Sequence, residues 1–204
     1  MNSLLNQPKL KRNFFTLDVL TVAQSLLGKI LVKKSDGNTY AGKIVEVEAY
    51  DGTFDEAAHT FIGKTKRNEI MFAEGGFFYV YFTYGAHFCC NIVTGVKDIG
   101  TAVLLRAVEP LIGIEEMAIN RFGHHLLNEK EKFNLTSGPG KLCKAFDINK
   151  KHNTTDLTGN EIFILKQRKI SADKIVITKR IGIKKSVELP WRFYIKNNPY
   201  VSRK

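Results

Sequence analysis

Residues 29–50, KILVKKSDGNTYAGKIVEVEAY, contain two strand-like runs separated by the turn-like SDGN, and they predict a β-hairpin. FFYVYFTY at 77–84 and HFCCNIVT at 87–94 predict a second hairpin, and TAVLLRAV at 101–108 predicts another strand. Strands thus follow one another in hairpins and do not alternate with helices. This order predicts an α+β fold with a curved, mostly antiparallel sheet and a few flanking helices.

The remaining segments predict the flanking helices and loops. Apolar residues at helical spacing predict a helix over residues 17–27, and Pro110 suits the first turn of a helix that ends at Arg121. A short helix is expected after Gly138-Pro139. Further strands are predicted around Ile162, Ile175 and Phe193. Two polar stretches are predicted to be loops, residues 51–75 and 123–134.

The composition is that of one globular domain over residues 1–204, with residues 1–15 as a short basic N-terminal segment. Three cysteines, two of them adjacent, do not suggest a disulfide framework. The N-terminus lacks the apolar stretch of a secretory signal, and no apolar run approaches the roughly 20 residues of a membrane span. We therefore expect a cytoplasmic protein, nucleoid-associated if bacterial, that does not bind membranes.

The charge is strongly positive, with 31 Lys and Arg against 20 Asp and Glu and a net charge of +11. Such an excess favours a polyanionic partner, because binding to phosphates releases condensed counterions. Charge repulsion that keeps a basic protein soluble is an equally good explanation. Charge alone thus leaves both interpretations open.

Two carboxylates share a face of the strand that ends at Tyr50. Period two places Ile44, Glu46, Glu48 and Tyr50 on that face, while the opposite face is apolar. The general rarity of buried carboxylates favours exposure of Glu46 and Glu48 to solvent. The alternative is that they line a pocket beside the polar loop that follows.

Arg106 lies on an otherwise apolar face of its strand. An unpaired buried charge is very costly, so the guanidinium must be paired or must reach a cavity. A structural salt bridge and a role in a site are both consistent with this position. Glu48 is the obvious candidate partner.

Aromatic residues are concentrated in FFYVYFTY, where Phe77, Tyr79 and Tyr81 share a face, a pattern typical of a protein core. Tyr84 differs because it lies at the tip of the predicted hairpin, where burial is hardest. Surface aromatic residues are common, so exposure alone assigns no role to Tyr84.

No motif indicates a metal or a cofactor. SGPGK at 137–141 does not fit the phosphate-loop pattern of nucleotide-binding proteins, although a glycine-rich helix start can bind one phosphate. A zinc site would need Cys89, Cys90 and His87, but adjacent residues on a strand point to opposite faces. We expect neither metal nor cofactor.

Five blocks of the chain together resemble one protein family. They are IVEVEAYDGTFDEAAHTF, KRNEIMF, YVYFTYGAHFCCNI, AVLLRAVEP and SGPGKLCKAF. Their order and spacing are similar to those of the alkyladenine (3-methyladenine) DNA glycosylases, the single-domain type without a helix-hairpin-helix. The resemblance extends from about Leu17 to NPYVS near the C-terminus. It implies a monofunctional base excision repair enzyme acting as a monomer on double-stranded DNA with damaged purines.

The resemblance also implies roles for catalytic and base-binding residues. Glu48 matches the family's general base, which activates a water molecule, and Arg106 matches the arginine that helps to hold this water. Ala57 and Ile181 match residues whose carbonyls line the water site. The base-binding positions are Tyr50, His59 and Tyr81, which sandwich the flipped base, and Asn91, which excludes the 2-amino group of guanine.

Further positions match the family's contacts with DNA. Tyr84 matches the side chain that fills the gap left by the flipped base, and Arg67, Gly138 and Lys141 match phosphate-binding positions. Many relatives have bulkier residues after the tip glycine, whereas Ala86 and His87 follow Gly85 here. We therefore expect Tyr84 to act more alone.

Two other functions are compatible with parts of the pattern. The first is a non-catalytic nucleic-acid-binding module with a degenerate base pocket, but both Glu48 and Arg106 are intact. The second is a metal-dependent nuclease, which would need clustered carboxylates and histidines that the sequence does not show.

Overall fold

The computed structural model describes residues 2–35, 37–83 and 85–203 and shows a single α+β domain, as predicted. The helices are α1 (Asn2–Leu5), α2 (Arg12–Phe15), α3 (Val19–Leu26), α4 (Ile114–Phe122), α5 (Glu129–Asn134) and α6 (Pro139–Ala145). The strands are β1 (Ile30–Ser35), β2 (Asn38–Asp51), β3 (Phe78–Thr83), β4 (His87–Thr94), β5 (Thr101–Ile112), β6 (Ile162–Leu165), β7 (Ile175–Thr178) and β8 (Arg192–Ile195). None of the described helices is long and apolar enough to cross a membrane.

All strands of the sheet pair in antiparallel fashion. The main order is β3-β4-β5-β2-β1-β6, and β8 pairs with both β2 and β7. The two hairpins predicted from the sequence correspond to β1–β2 and β3–β4, and the further strand predicted at 101–108 is β5, which pairs with β4. The described strands form an open sheet with antiparallel pairing, which confirms the predicted fold class.

The two faces of the sheet contact different parts of the protein. Val47, Ala49, Cys90 and Leu105 belong to the main hydrophobic core, against which α3 and α6 pack. The alternate residues of the same strands point to the opposite face, where a smaller apolar cluster surrounds Tyr79. That second face carries the candidate site.

A register irregularity in β2 changes the predicted side-chain pattern. The β2–β5 pairing shifts between Ile44 and Val47, so strict period two does not hold there. Ile44 consequently belongs to the main core together with Val47, and the prediction that it shares a face with Glu48 is wrong. A bulge of this kind reorients side chains, and here it precedes the two buried glutamates.

Two boundary predictions were wrong. Pro110 lies in β5 and not in a helix, opposite Gly42 at another register shift, where the ladder tolerates a residue without an N–H. The helix starts only after Gly113, whose φ is +78°. The predicted loop 123–134 contains α5, which begins with a reciprocal capping box between Asn128 and Glu131.

The N-terminal segment contributes to the core. Leu10 and Phe15 are buried, and the Phe15 carbonyl accepts a hydrogen bond from Gly95 N–H at 3.0 Å. Arg12 forms an ion pair with Asp156 at 2.6 Å. The basic residues of this segment thus lie beside two buried apolar residues, Leu10 and Phe15, which hold the segment against the sheet.

Truncation of Phe15 should therefore destabilise the whole domain. For Phe15→Ala we expect the free energy of unfolding, measured by urea denaturation, to fall by about 3–5 kcal/mol, because a fully buried ring is removed. Leu17→Ala is the control, since Leu17 is 46% exposed, and should cost no more than about 0.5 kcal/mol. Equal effects of the two variants would show that the segment is not part of the core.

Candidate active site

A cavity of about 410 Å³ opens on the second face of the sheet. Strands β2 to β5, the loop after β2, the start of α6 and the segment after β7 all contribute to its walls. The lining residues are Tyr50, Ala57, His59, Met71, Tyr79, Tyr81, Thr83, Cys89, Asn91, Leu104, Arg106, Pro139 and residues 181–183. The volume lies in the range of roughly 300–1,000 Å³ that is typical of small-molecule pockets.

Glu48 is completely buried beside this cavity. Its Oε2 accepts hydrogen bonds from the Tyr50 hydroxyl at 2.9 Å and from Arg106 Nη1 at 3.2 Å. Its Oε1 accepts one from the Ile181 backbone N–H at 2.7 Å. The interpretation that Glu48 faces solvent is wrong: the carboxylate is buried and bonded to Tyr50, Arg106 and Ile181, which themselves line the cavity.

Arg106 both forms a salt bridge and lines the cavity, the two possibilities that its sequence position left open. Its Nε donates to Glu46 Oε1 at 3.0 Å and its Nη1 donates to Glu48, so it is a buried salt-bridge partner. It also lines the cavity. Burial would lower the pKa of Arg106, but the nearby Glu48 and Glu46 outweigh it and raise this pKa. The guanidinium therefore remains a cation at the pocket wall.

Glu46 is also fully buried, which contradicts the expectation of solvent exposure. Its Oε1 accepts hydrogen bonds from Arg192 Nε at 2.7 Å and from the Ser202 hydroxyl at 2.9 Å, in addition to Arg106. Its Oε2 accepts one from Ser202 N–H at 2.6 Å. Glu46 thus holds Arg106 through its Nε, and no local pattern in the sequence pointed to the distant partners Arg192 and Ser202.

The aromatic residues predicted to bind a base come together in the cavity. The rings of His59 and Tyr81 lie edge to face at 4.5 Å, and Tyr79 stacks on Tyr81 at 5.3 Å. Tyr79, assigned to the core from sequence, both packs there and lines the cavity; its hydroxyl lies 3.0 Å from His59 Nδ1. Burial and Glu48 raise the pKa of Tyr50, so this hydroxyl stays protonated and donates to Glu48.

Three further predicted residues also line the cavity. Ala57 donates its backbone N–H to Asp55 Oδ1 at 3.0 Å, and Asn91 donates its amide to the Tyr79 carbonyl at 3.3 Å. Ile181 contacts Glu48 through its backbone N–H, a contact that the sequence did not reveal.

Three of the four predicted DNA contacts can be located, one beside Tyr81 and two in an adjacent cavity. Arg67 is exposed, donates to the Phe82 carbonyl at 3.1 Å and lies 5.7 Å from the Tyr81 ring centre. Gly138 and Lys141 line an adjacent cavity of about 490 Å³. Burial and the neighbouring Arg121 lower the pKa of Lys141. Tyr84 lies outside the described residues.

Sequence inspection missed other basic residues of this adjacent cavity. They are Arg121 and Lys144. Gly140, also in its lining, permits close packing of α6 on β4, because a Cβ there would lie 3.0 Å from the His87 side chain. The adjacent cavity shares Thr83, Cys89 and Pro139 with the aromatic cavity, so the two are continuous.

The cysteines are arranged as strand geometry requires. Cys89 lines the aromatic cavity, whereas Cys90 belongs to the core on the other face. Burial and Cys90 raise the pKa of the Cys89 thiol to about 11. Among the described residues, no group of three or more His, Cys, Asp or Glu side chains could hold a metal ion.

Comparison with known proteins matches the sequence of this chain to one family of DNA glycosylases. A family model described as "Methylpurine-DNA glycosylase (MPG)" matches residues 13–199. A protein of Alkaliphilus oremlandii (strain OhILAs) named "Putative 3-methyladenine DNA glycosylase" is 48% identical over 207 residues, covering 96% of this chain and 100% of its own. Proteins of the same name from Carboxydothermus hydrogenoformans and Clostridium beijerinckii are 48% and 43% identical, each covering 96% of this chain and 99% of its own.

The chain therefore belongs to the methylpurine-DNA glycosylase family. Membership confirms the resemblance seen in the sequence. It also makes DNA the substrate and base removal the class of reaction.

Glu46 should be needed for stability, since its removal leaves two buried arginines without their shared carboxylate. For Glu46→Gln we expect the free energy of unfolding in urea to fall by about 3–5 kcal/mol. The control, Glu188→Gln, changes an exposed carboxylate and should cost no more than about 0.5 kcal/mol. A loss below about 1 kcal/mol for Glu46→Gln would contradict a supporting role.

Proposed function

We propose that the protein flips alkylated or deaminated purines out of duplex DNA and hydrolyses their N-glycosidic bonds with a water molecule activated by Glu48. The proposed substrates are 3-methyladenine, 7-methylguanine, hypoxanthine and ethenoadenine. The observation that carries the proposal is the buried Glu48 carboxylate, held by three donors that belong to residues lining the aromatic cavity. Family membership gives the reaction class, and this geometry supports Glu48 as the general base.

The hydrogen bonds of Glu48 leave one of its lone pairs without a donor among the described residues. A carboxylate oxygen has two lone pairs, and the only bond that the described residues make to Oε1 comes from Ile181 N–H. The second lone pair of Oε1 can accept a proton from water while the water oxygen attacks C1′ of the deoxyribose. The glycosidic bond breaks, and its electron pair leaves with the base. Arg106 and the carbonyls of Ala57 and Ile181 would orient the water.

The aromatic cavity is suited to electron-poor purines. A methylated purine carries positive charge, so stacking against Tyr50 and Tyr81 is reinforced by cation–π attraction. The backbone at His59 would hydrogen-bond the base edge, and its carbonyl is fixed by Asn68 Nδ2 at 2.8 Å. Asn91, only 5% exposed, would reject the 2-amino group of guanine by steric conflict.

The rim of the cavity would hold the DNA backbone. Arg67 lies beside Tyr81, and Gly138 and Lys141 line the adjacent cavity, so that cationic side chains and backbone N–H groups there can bind phosphates. Tyr84, which follows the last residue of β3 in the sequence, would occupy the gap that the flipped nucleotide leaves.

Hydrolysis by activated water needs no covalent intermediate. No lysine is among the described residues that line the aromatic cavity, so a Schiff base with C1′ has no obvious nucleophile there. We propose a monofunctional, monomeric enzyme that works without metal or cofactor.

The proposed reaction makes a direct prediction about products. Duplex oligonucleotides with each proposed lesion should be converted to abasic DNA, detected as strand cleavage only after alkali, and EDTA should not slow this conversion. Borohydride should trap no enzyme–DNA adduct. A trapped adduct would refute the monofunctional mechanism, and lesion binding without base release would favour a non-catalytic binding module.

Substitution of Glu48 tests the chemical step itself. Glu48→Gln keeps size and polarity but cannot accept the proton, so the single-turnover excision rate should fall by about 10²–10⁴-fold. Affinity for the lesion duplex, measured by fluorescence anisotropy, should change little. Glu188→Gln provides the control carboxylate and should excise at the wild-type rate. An unchanged rate for Glu48→Gln would remove Glu48 from the mechanism.

A further inference from the structure

Arg180 has no part in the proposed chemistry, yet its side chain is completely buried next to the site. It forms a two-pronged ion pair with Asp55, which is also fully buried, and the Nη2–Oδ1 distance is 2.8 Å. Neither residue is among the described residues that line the aromatic cavity. Sequence inspection gave no reason to single out either residue.

The Arg180 guanidinium connects three segments that carry the site. Its Nη1 donates to the carbonyl of Ala49, the residue between Glu48 and Tyr50, at 2.9 Å. Its Nη2 donates to the Ser186 carbonyl at 3.3 Å. The guanidinium carbon also lies 4.5 Å from the centre of the Tyr50 ring.

Each member of the ion pair is close in sequence to a residue at the site. Ile181, which follows Arg180, donates its N–H to Glu48 Oε1 at 2.7 Å. Asp55 Oδ1 accepts the N–H of Ala57, a lining residue, at 3.0 Å. One ion pair therefore fixes both the donor that orients the general base and the neighbouring wall of the cavity.

Burying the Arg180–Asp55 ion pair has a cost in folding free energy. Two charges lose their hydration, and a buried ion pair is often no more stable than well-packed apolar residues of similar size. In addition, Arg180 Nε is buried without a hydrogen-bond partner among the described residues. The guanidinium's other hydrogen bonds all go to segments that form the site, so stability alone does not explain the pair.

We infer that Arg180 and Asp55 are positioning residues, which hold the Ile181 N–H against Glu48 so that its carboxylate is oriented towards the attacking water. This inference rests on the proposed function of Glu48. It assigns no contact with DNA to either residue.

The test separates positioning from stability. Arg180→Met, Asp55→Leu and the double variant are compared by melting temperature, affinity for a lesion duplex and single-turnover excision at saturating enzyme. Each single variant should lose stability and excise about 10–100-fold more slowly, because small displacements of catalytic groups have effects of this size. The double variant should regain stability, since no charge is left unpaired, while excision remains at least about tenfold slow. Recovery of both properties would overturn the inference.

Two controls keep the result interpretable. Lys33→Met removes another fully buried cation, whose ion-pair partner Asp147 at 3.3 Å is half-exposed; neither residue lines the aromatic cavity. It should lower the melting temperature but leave the excision rate unchanged. Arg180→Lys keeps the charge and should fold, yet it lacks the planar two-pronged geometry and should still excise several-fold more slowly. A wild-type rate for Arg180→Lys together with a wild-type rate for the double variant would contradict positioning.

A third comparison uses the general base itself. In a Glu48→Gln background, Arg180→Met should lower the residual excision rate by less than about twofold, because the group that Arg180 positions is already absent. An equal loss in both backgrounds would mean that Arg180 acts independently of Glu48, against the inference.

Failure of wild-type protein to release any base would refute the proposed function and the inference together. Base release that needs Glu48 but not Arg180 would refute the inference alone.

Discussion

The site depends on the burial of two carboxylates on one strand. Glu46 and Glu48 have no exposed surface, and the desolvation of each must be offset by hydrogen bonds from cations and N–H groups. Arg106 is shared between them, and Arg192, Ser202, Tyr50 and Ile181 supply the remaining donors. The donors come from β2, β5, β8 and two loops. Much of the tertiary structure around β2 can be understood as the assembly of these partners.

The bulge in β2 makes this arrangement compatible with a hydrophobic core. Before the bulge, Ile44 packs into the main core. After the bulge, the residues that pack into this core are Val47 and Ala49. The irregularity therefore lets one long strand keep an apolar face towards α3 while it presents both glutamates on the other face. A strand with strict period two would have placed either an isoleucine in the polar network or a carboxylate in the core.

The sequence predicted the elements whose signals are local. The hairpins, α3 and α6 were recognisable from periodicity and turn composition, and the pairing of Glu48 with Arg106 followed from a charged residue on an apolar face. The end of β5 was misjudged because proline is more often seen at a helix start than at a strand irregularity. The contacts of Glu46 with Arg192 and Ser202, and of Arg180 with Asp55, join residues far apart in the chain, so no local pattern contained them.

The position of Ser202 in the chain has a consequence for biosynthesis. Both Glu46 oxygens accept hydrogen bonds from Ser202, which the ribosome adds after every strand of the sheet has been made. During translation, the Glu46 carboxylate therefore lacks these two donors until the C-terminal residues have been made. A buried carboxylate without its full set of donors is costly. The hydrogen-bond network of Glu46 can thus be completed only when the C-terminal segment docks on the sheet, after all of the strands exist.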